Sequence, residues 1–287
     1  MIDTPRVLDT TDHRRELADN QYIYAVVSRR ARGLSIGVNL NPDKVCNFDC
    51  PYCQVDRTTP GGSATIDLPR LHDELSHLLT LVASGTLWSV APFDTTAPDM
   101  RRVADIAFAG DGEPTSPPTF PAVAAAVHAL RDASGLHVPL RLLTNATLLH
   151  RGRVKAALAH FDELWCKLDA GTADYFRVVD GTAYPFSRLL ANLLDTARDR
   201  PIVIQSMFLR LDGVGPSPSE IDAWAGRLAH ITSGGGRIDR VQVYTVARRP
   251  ASPRVERLPD HELNEIAARV RALGIGVEVH GSGEVSA

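Results

Sequence analysis

The feature that most constrains this chain is the alternation of short apolar runs with longer amphipathic segments along most of its length. "YIYAVVSRRARGLSIGVNL" (22–40) reads as two strands about a polar turn from Ser28 to Gly33. "IDLPRLHDELSHLLTLVASG" sets Leu71, Leu75, Leu78, Leu79 and Val82 at helical spacing, with Asp67 as N-cap and Gly85 as stop. The strand "DIAFAG" (105–110), the helix "FPAVAAAVHALRDASG", the strand "PLRLLTNAT" (139–147) and the helix "GRVKAALAHF" follow. Next come the strand "ELWCKLDAG" (163–171), the helix "PFSRLLANLLDTARDR" opened by Pro185, the strand "PIVIQSMFLR" (201–210) and a helix after Ser217 or Ser219. The strand "RVQVYTVAR" (240–248), the helix "DHELNEIAARVRALG" and the strand "GVEVHG" (276–281) complete the pattern.

Strands apolar on both faces and separated by helices imply a parallel sheet with helical crossovers, so the class is α/β. Six strands begin a strand-to-helix step, ending "VNL", "FAG", "LTN", "LDAG", "FLR" and "TVAR". That number suits a partial (β/α)6 barrel with an N-terminal β-hairpin before it. The expected organisation is an N-terminal extension and hairpin over 1–33, a core over 34–250, and a C-terminal helix and strand over 251–287. The 22–40 hairpin is expected outside the barrel strands, where it covers an open sheet edge or turns Arg29, Arg30 and Arg32 toward the mouth. The nearest thing to a linker is "SVAPFDTTAPDMRR" (89–102), a Pro/Thr/Asp loop with scope for movement. Polar clusters follow the strands, and ligands of parallel α/β folds bind at the carboxyl ends of strands, so these clusters are expected to share one mouth.

A net charge of −3 gives no basic field to attract a polyanion, which makes nucleic acid an unlikely partner. The polar start "MIDTPRVLDTTDHRRELADN" and the lack of a run of about eighteen apolar residues point to a cytoplasmic chain with no membrane partner. In a reducing cytoplasm its 4 cysteines remain thiols. Three of them, Cys46, Cys50 and Cys53, stand in "KVCNFDCPYCQVDR" (44–57) at C-x3-C-x2-C spacing. Cys166 is remote, between Trp165 and Leu168 in an apolar strand, and reads as a core residue. Structural zinc wants four ligands, and only His72 or His77 on the first helix could complete a set. Three thiolates better suit an iron–sulfur cluster with one iron left open.

The cysteine motif, with Tyr52 before the third cysteine, resembles that of the radical S-adenosylmethionine (SAM) superfamily. "FAGDGEPT" is similar to that superfamily's second-strand motif, with Asp111 interrupting the usual glycine pair, and "LLTNAT" to its third-strand motif, with Ala146 in place of glycine. The resemblance spans about residues 34 to 248. It is most like the Fe–S oxidoreductase group related to wybutosine synthase and molybdenum-cofactor biosynthesis proteins. It implies a [4Fe-4S] cluster on Cys46, Cys50 and Cys53, SAM as the second cofactor, and an electron donor such as flavodoxin or ferredoxin.

By the same resemblance Gly110, Gly112 and Glu113 receive the SAM amino group, although turn glycines and a surface acid would read alike. Asn145 is a helix cap or a ligand contact; Lys167 and Asp169 form a plain ion pair or meet the SAM carboxylate or ribose. Tyr52, Gln205 and Ser206 join the candidate cofactor-binding set, and Tyr244 and Arg248 are candidates for substrate. Pro51 stiffens the cysteine loop, Asn47 and Asp49 are suited to bond its amides, and Lys44 and Arg57 flank it. The expected function is reductive cleavage of SAM to a 5′-deoxyadenosyl radical that modifies a small molecule or a protein side chain. Modified nucleotides are the next substrate class. The competing readings are a non-catalytic iron–sulfur protein and a zinc-stabilised binding module.

Overall fold

The computed structural model describes residues 17, 19–28, 31–247 and 252–281. Most of the N-terminal extension, together with Arg29, Arg30, Arg248 and Arg249, lies outside the described residues. The strands are β1 (Ile23–Ser28), β2 (Gly33–Val38), β3 (Val103–Phe108), β4 (Leu140–Thr144), β5 (Glu163–Lys167), β6 (Ile202–Met207), β7 (Leu209–Leu211), β8 (Ile238–Tyr244), β9 (Val255–Arg257) and β10 (Val277–His280). Eight of them form one sheet in the order β1-β2-β3-β4-β5-β6-β8-β10, while β7 and β9 pair with each other. β1 is antiparallel to β2, and β2 begins the parallel series. The fold is therefore α/β, a partial (β/α)6 barrel of the strands β2, β3, β4, β5, β6 and β8, with β10 added in parallel to β8.

The hairpin needs correcting. Its second strand, β2, is the first of the six barrel strands, because it pairs in parallel with β3; only β1 lies beyond them. β1 covers the sheet edge, which leaves no open ladder on β2.

By its contacts the chain divides into two compact units. The first comprises residues 1–45, 60–142 and 153–162. It holds α1 (Leu68–Ala83), α2 (Phe120–Ala133) and most of α3 (Gly152–Ala157). The Asp67 side chain caps α1 by accepting from the Arg70 amide at 3.1 Å, and Leu71, Leu75, Leu78 and Leu79 are buried. Glu74 shares that face because its carboxylate accepts the amides of Gln21, Tyr22 and Ile23 at 2.8–3.1 Å. Phe108, Phe120 and Phe161 pack with ring centroids 4.9–6.2 Å apart. The 89–102 segment is not a free loop: the single 3-10 turns Leu87–Ser89, Phe93–Thr95 and Pro98–Met100 lie in and beside it, with Leu87, Phe93 and Thr96 buried.

The second unit comprises residues 46–59, 143–152 and 163–287. It holds α4 (Ala173–Val179), α5 (Phe186–Asp199), α6 (Pro218–Ser233) and α7 (Asp260–Ala272). Ser217 caps α6, whose Trp224 packs edge-on against Phe208 at 5.0 Å. Cys166 is fully buried in β5, as its apolar neighbours imply. Among the described residues no helix is long and apolar enough to cross a membrane.

Candidate active site

The second unit carries the cysteine loop. Cys46, Cys50 and Cys53 are thiols outside any disulfide, each half-buried, and the Cys53 amide turns back to the Cys50 carbonyl at 2.9 Å. Phe48 anchors the loop: it is 4% exposed, and its ring lies edge-on to Phe176 of α4 at 5.6 Å. The segment after α4 clasps the same stretch. The Asp180 carbonyl accepts from the Asp49 amide at 3.2 Å, and the Thr182 hydroxyl donates to the Asn47 carbonyl at 3.2 Å. Gly181 has a left-handed φ of 56°, and a Cβ there would stand 2.0 Å from the Asp49 carbonyl oxygen. Only glycine fits such a place unstrained.

Asn47 does not bond its own loop's amides as expected. Its Nδ2 donates to Thr147 Oγ1 at 2.8 Å, and its Oδ1 accepts from Asn145 Nδ2 at 2.7 Å. Asn145 Oδ1 in turn accepts from the Thr147 amide and hydroxyl at 3.2 and 2.7 Å. Asn145 therefore positions the cysteine loop and caps a local turn rather than a helix. Ala146 sits at φ 62°, a left-handed place that suits the glycine of the motif it resembles. It is held there by Asn192, whose side chain donates to the Ala146 and Thr147 carbonyls at 2.9 and 3.0 Å.

Lys167 and Asp169 are joined in an ion pair, but the pair has further members. Lys167 Nζ also meets Asp180 Oδ1 at 2.7 Å and lies 4.5 Å from the centre of the Tyr52 ring. The Tyr52 hydroxyl donates to Asp169, whose other oxygen accepts the Met207 amide at 3.0 Å. Cys50 Sγ lies 3.7 Å from both the carbonyl and the carboxylate of Asp180. Burial pushes the Asp180 carboxyl up to about 7, against the pull of Lys167. Burial alone would lower Lys167, yet Asp169 and Asp180 together hold its ammonium well above the ordinary value. Burial raises the Cys50 thiol strongly; Lys167 opposes this and the two acids add to it. Arg57 completes the loop, its Nη1 donating to Cys53 Sγ at 3.1 Å.

Gln205 and Ser206 are neighbours on β6, so they point to opposite sheet faces. Ser206 lies on the α6 side, donating to the Leu168 carbonyl at 2.5 Å and accepting from Trp224 Nε1 at 3.1 Å. It is fully buried there. Gln205 shares its face with Gln242, to whose Oε1 it donates at 2.9 Å; Gln242 donates on to Glu278 at 2.9 Å. Tyr244, the candidate for substrate at the end of β8, is half-buried.

The first unit carries Gly110, Gly112 and Glu113. A Cβ on Gly110 would stand 2.2 Å from Asn39 Oδ1, and one on Gly112 would stand 2.1 Å from the carbonyl oxygen of Val45, the residue before Cys46. Close approach of the Asn39 side chain at Gly110 and of the Val45 backbone at Gly112 thus accounts for both glycines. Asp111 is tied to Asn39 both ways, its amide donating at 3.1 Å and its carboxylate accepting at 2.8 Å. Glu113 is a buried acid, 2% exposed, whose Oε1 accepts from the Thr115 amide at 3.2 Å and hydroxyl at 2.5 Å.

Sequence reasoning missed the Asp180–Gly181–Thr182 clasp and the burial of Asp180 beside Lys167. The Asp-Gly pair was the available signal. The donor set fits an iron–sulfur cluster: three thiols outside any disulfide, no fourth cysteine close by, and a cationic donor on one sulfur. Among the described residues no three His, Cys, Asp or Glu side chains stand ready to hold a single metal ion. A cuboidal cluster takes each thiolate on a separate iron, so its three sulfurs need not meet at one point.

No family model matches the chain. It is 22% identical over 263 residues to the protein named GTPase Obg of Brachyspira hyodysenteriae, covering 91% of this chain and 35% of that one. The chain thus spans about a third of that relative's length, and it contains no Gly-Lys pair with which to form a phosphate-binding G-x4-G-K-[ST] loop. It is 26% identical over 247 residues to a UPF0026 protein of Helicobacter pylori, covering 84% of this chain and 71% of the relative. Among solved structures, a radical SAM methyltransferase from Sphaerobacter thermophilus superposes with a TM-score of 0.63 at 17% identity, covering 93% of this chain and 71% of the other. Streptococcus suis SuiB gives 0.57 at 13% identity, covering 89% and 51%. TYW1 with a lysine-pyruvate adduct bound gives 0.55 at 13%, covering 83% and 72%. The chain has the fold of the radical SAM superfamily.

Proposed function

We propose that the chain is a radical SAM enzyme that acts on a small molecule or a protein side chain. The observation that carries this reading is the cysteine loop. It presents three thiols outside any disulfide, is clasped by the segment after α4, and lies beside a buried Lys167–Asp169–Asp180 group. Cys46, Cys50 and Cys53 hold the [4Fe-4S] cluster. When bound, that cluster supplies one electron and an open iron to chelate SAM, and so the means to release a 5′-deoxyadenosyl radical.

The chain's own residues bind and orient. Glu113 receives the SAM ammonium through a carboxylate already oriented by Thr115. Gly110 and Gly112 keep the backbone beside it clear of side chains. Lys167, held between two carboxylates, offers a fixed positive charge to the SAM carboxylate or ribose, with Tyr52 orienting Asp169. Gln205 offers an amide to ribose hydroxyls, and Asn145 acts through Asn47 on the loop. The electron comes from a donor of the flavodoxin or ferredoxin class. The net charge of −3 favours a small or protein substrate over a polyanion.

Anaerobic purification tests the cluster assignment. Brown protein with about four irons per chain is expected, lost on Cys46→Ala, Cys50→Ala or Cys53→Ala and kept on Cys166→Ala. Zinc in place of iron would point to a binding module, and a cluster that is indifferent to SAM would point to an electron carrier.

A further inference from the structure

The three cysteines sit in unlike surroundings. Cys46 Sγ accepts the Phe48 amide at 3.5 Å, and Cys50 faces the Asp180 carbonyl and carboxylate. Cys53 takes a charged donor, Arg57 Nη1, at 3.1 Å. Arg57 lies four residues after Cys53 in a stretch with no helix, so no helical repeat brings the two together. The interactions that fix the loop's path are elsewhere: Phe48 on Phe176, Asp49 on Asp180 and Thr182 on Asn47, all before Cys53. Arg57 and the two later cysteines line one side of a cavity of about 430 Å³, with Val178, Leu211 and Arg254 among its other walls. The guanidinium is partly buried, and its electrostatic neighbours are Cys53, Cys46 and Asp49.

We propose that Arg57 tunes the reduction potential of the cluster that this loop holds, by donating a charge-assisted hydrogen bond to the Cys53 sulfur. The proposal rests on the radical SAM reading. Reduction adds one electron from an external reductant; no bond forms or breaks, and the cluster with its thiolates gains one negative charge. A cationic N–H directed at a ligating sulfur stabilises that added charge more than it stabilises the oxidised state, which raises the potential. Arg57 is thus a positioning residue for electron density. It brings the cluster within reach of a donor that a bare three-thiolate loop would leave less able to reduce it.

The test uses the full chain, reconstituted anaerobically as wild type, Arg57→Gln and Arg57→Lys. Iron and sulfide are measured first, and the midpoint is then read by dithionite titration followed by electron paramagnetic resonance. All three proteins should carry equal iron. In Arg57→Gln the ratio of reduced to oxidised cluster at the wild-type midpoint should fall about tenfold, a potential lower by about 59 mV for one electron. Arg57→Lys should fall by less, because its hydrated ammonium keeps the charge without the planar fork. Equal iron with an unchanged midpoint in Arg57→Gln overturns the proposal. If Arg57→Gln alone loses iron, the Lys variant decides: a lowered midpoint supports the role and an unchanged one overturns it. Loss of iron from both variants also overturns it, since Arg57 then builds the loop rather than tuning what the loop holds. Absence of a cluster from wild type is the separate result that removes the radical SAM reading itself.

Discussion

Replacing Gly181 by alanine attacks the clasp on the cysteine loop without touching a proposed ligand. Two costs add. The backbone at φ 56° charges an L-residue about 1–2 kcal/mol. The new Cβ would also stand 2.0 Å from the Asp49 carbonyl oxygen, a backbone atom that must move, for about 1–3 kcal/mol more. Gly135→Ala supplies the control, because Gly135 has a similar φ of 69° with nothing within 4 Å of its Cβ position. It should lose only the first cost, and the difference between the variants isolates the second. With a urea slope of about 3 kcal/mol/M, the excess appears as a midpoint lower by about 0.3–1 M for Gly181→Ala. Because Asp49 precedes Cys50, iron uptake should fall in Gly181→Ala and hold in Gly135→Ala. Equal midpoints and equal iron in the two variants would refute the clasp.

Glu113→Ala should keep its iron but bind SAM about ten- to a hundred-fold more weakly by titration calorimetry, for loss of a charge-assisted bond of about 1.5–3 kcal/mol. Asp111→Gly should leave SAM affinity nearly intact and lower stability by about 1 kcal/mol, since it gives up the bond from Asn39. Gln205→Leu should weaken SAM binding, whereas Ser206→Ala should leave it unchanged and reduce thermal stability, because that hydroxyl is engaged by Leu168 and Trp224. Ala146→Gly relieves a left-handed alanine and should raise the urea midpoint by about 0.3 M, the equivalent of roughly 1 kcal/mol.

The strand and helix order was legible because most helices carry their own apolar stripe and each barrel strand its own run, as with Leu71, Leu75, Leu78 and Leu79 of α1. Cys166 was legible for the same reason, with apolar neighbours on both sides. α4 was not, since a seven-residue helix with only Phe176 and Val179 buried offers too little periodicity. β7 and β9, at three residues each, are shorter still. Glu74 is buried by amides 51–53 positions earlier, a pairing no local pattern encodes. In the site, the cysteines stood out by their spacing, while Gly110 and Gly112 came only with the resemblance. Asp180 did not stand out, because its role depends on a turn that brings it against Lys167 and Cys50. Strand alternation alone puts Ser206 on the face opposite Gln205.

The central claim is that this chain cleaves SAM reductively. The most direct measurement is to add SAM and dithionite to the anaerobically reconstituted protein and separate the products by liquid chromatography with mass detection. The account predicts 5′-deoxyadenosine, formed by wild type and by Cys166→Ala but not by Cys50→Ala. Intact SAM after many hours with a fully loaded, reduced cluster, or methylthioadenosine as the sole product, would contradict it.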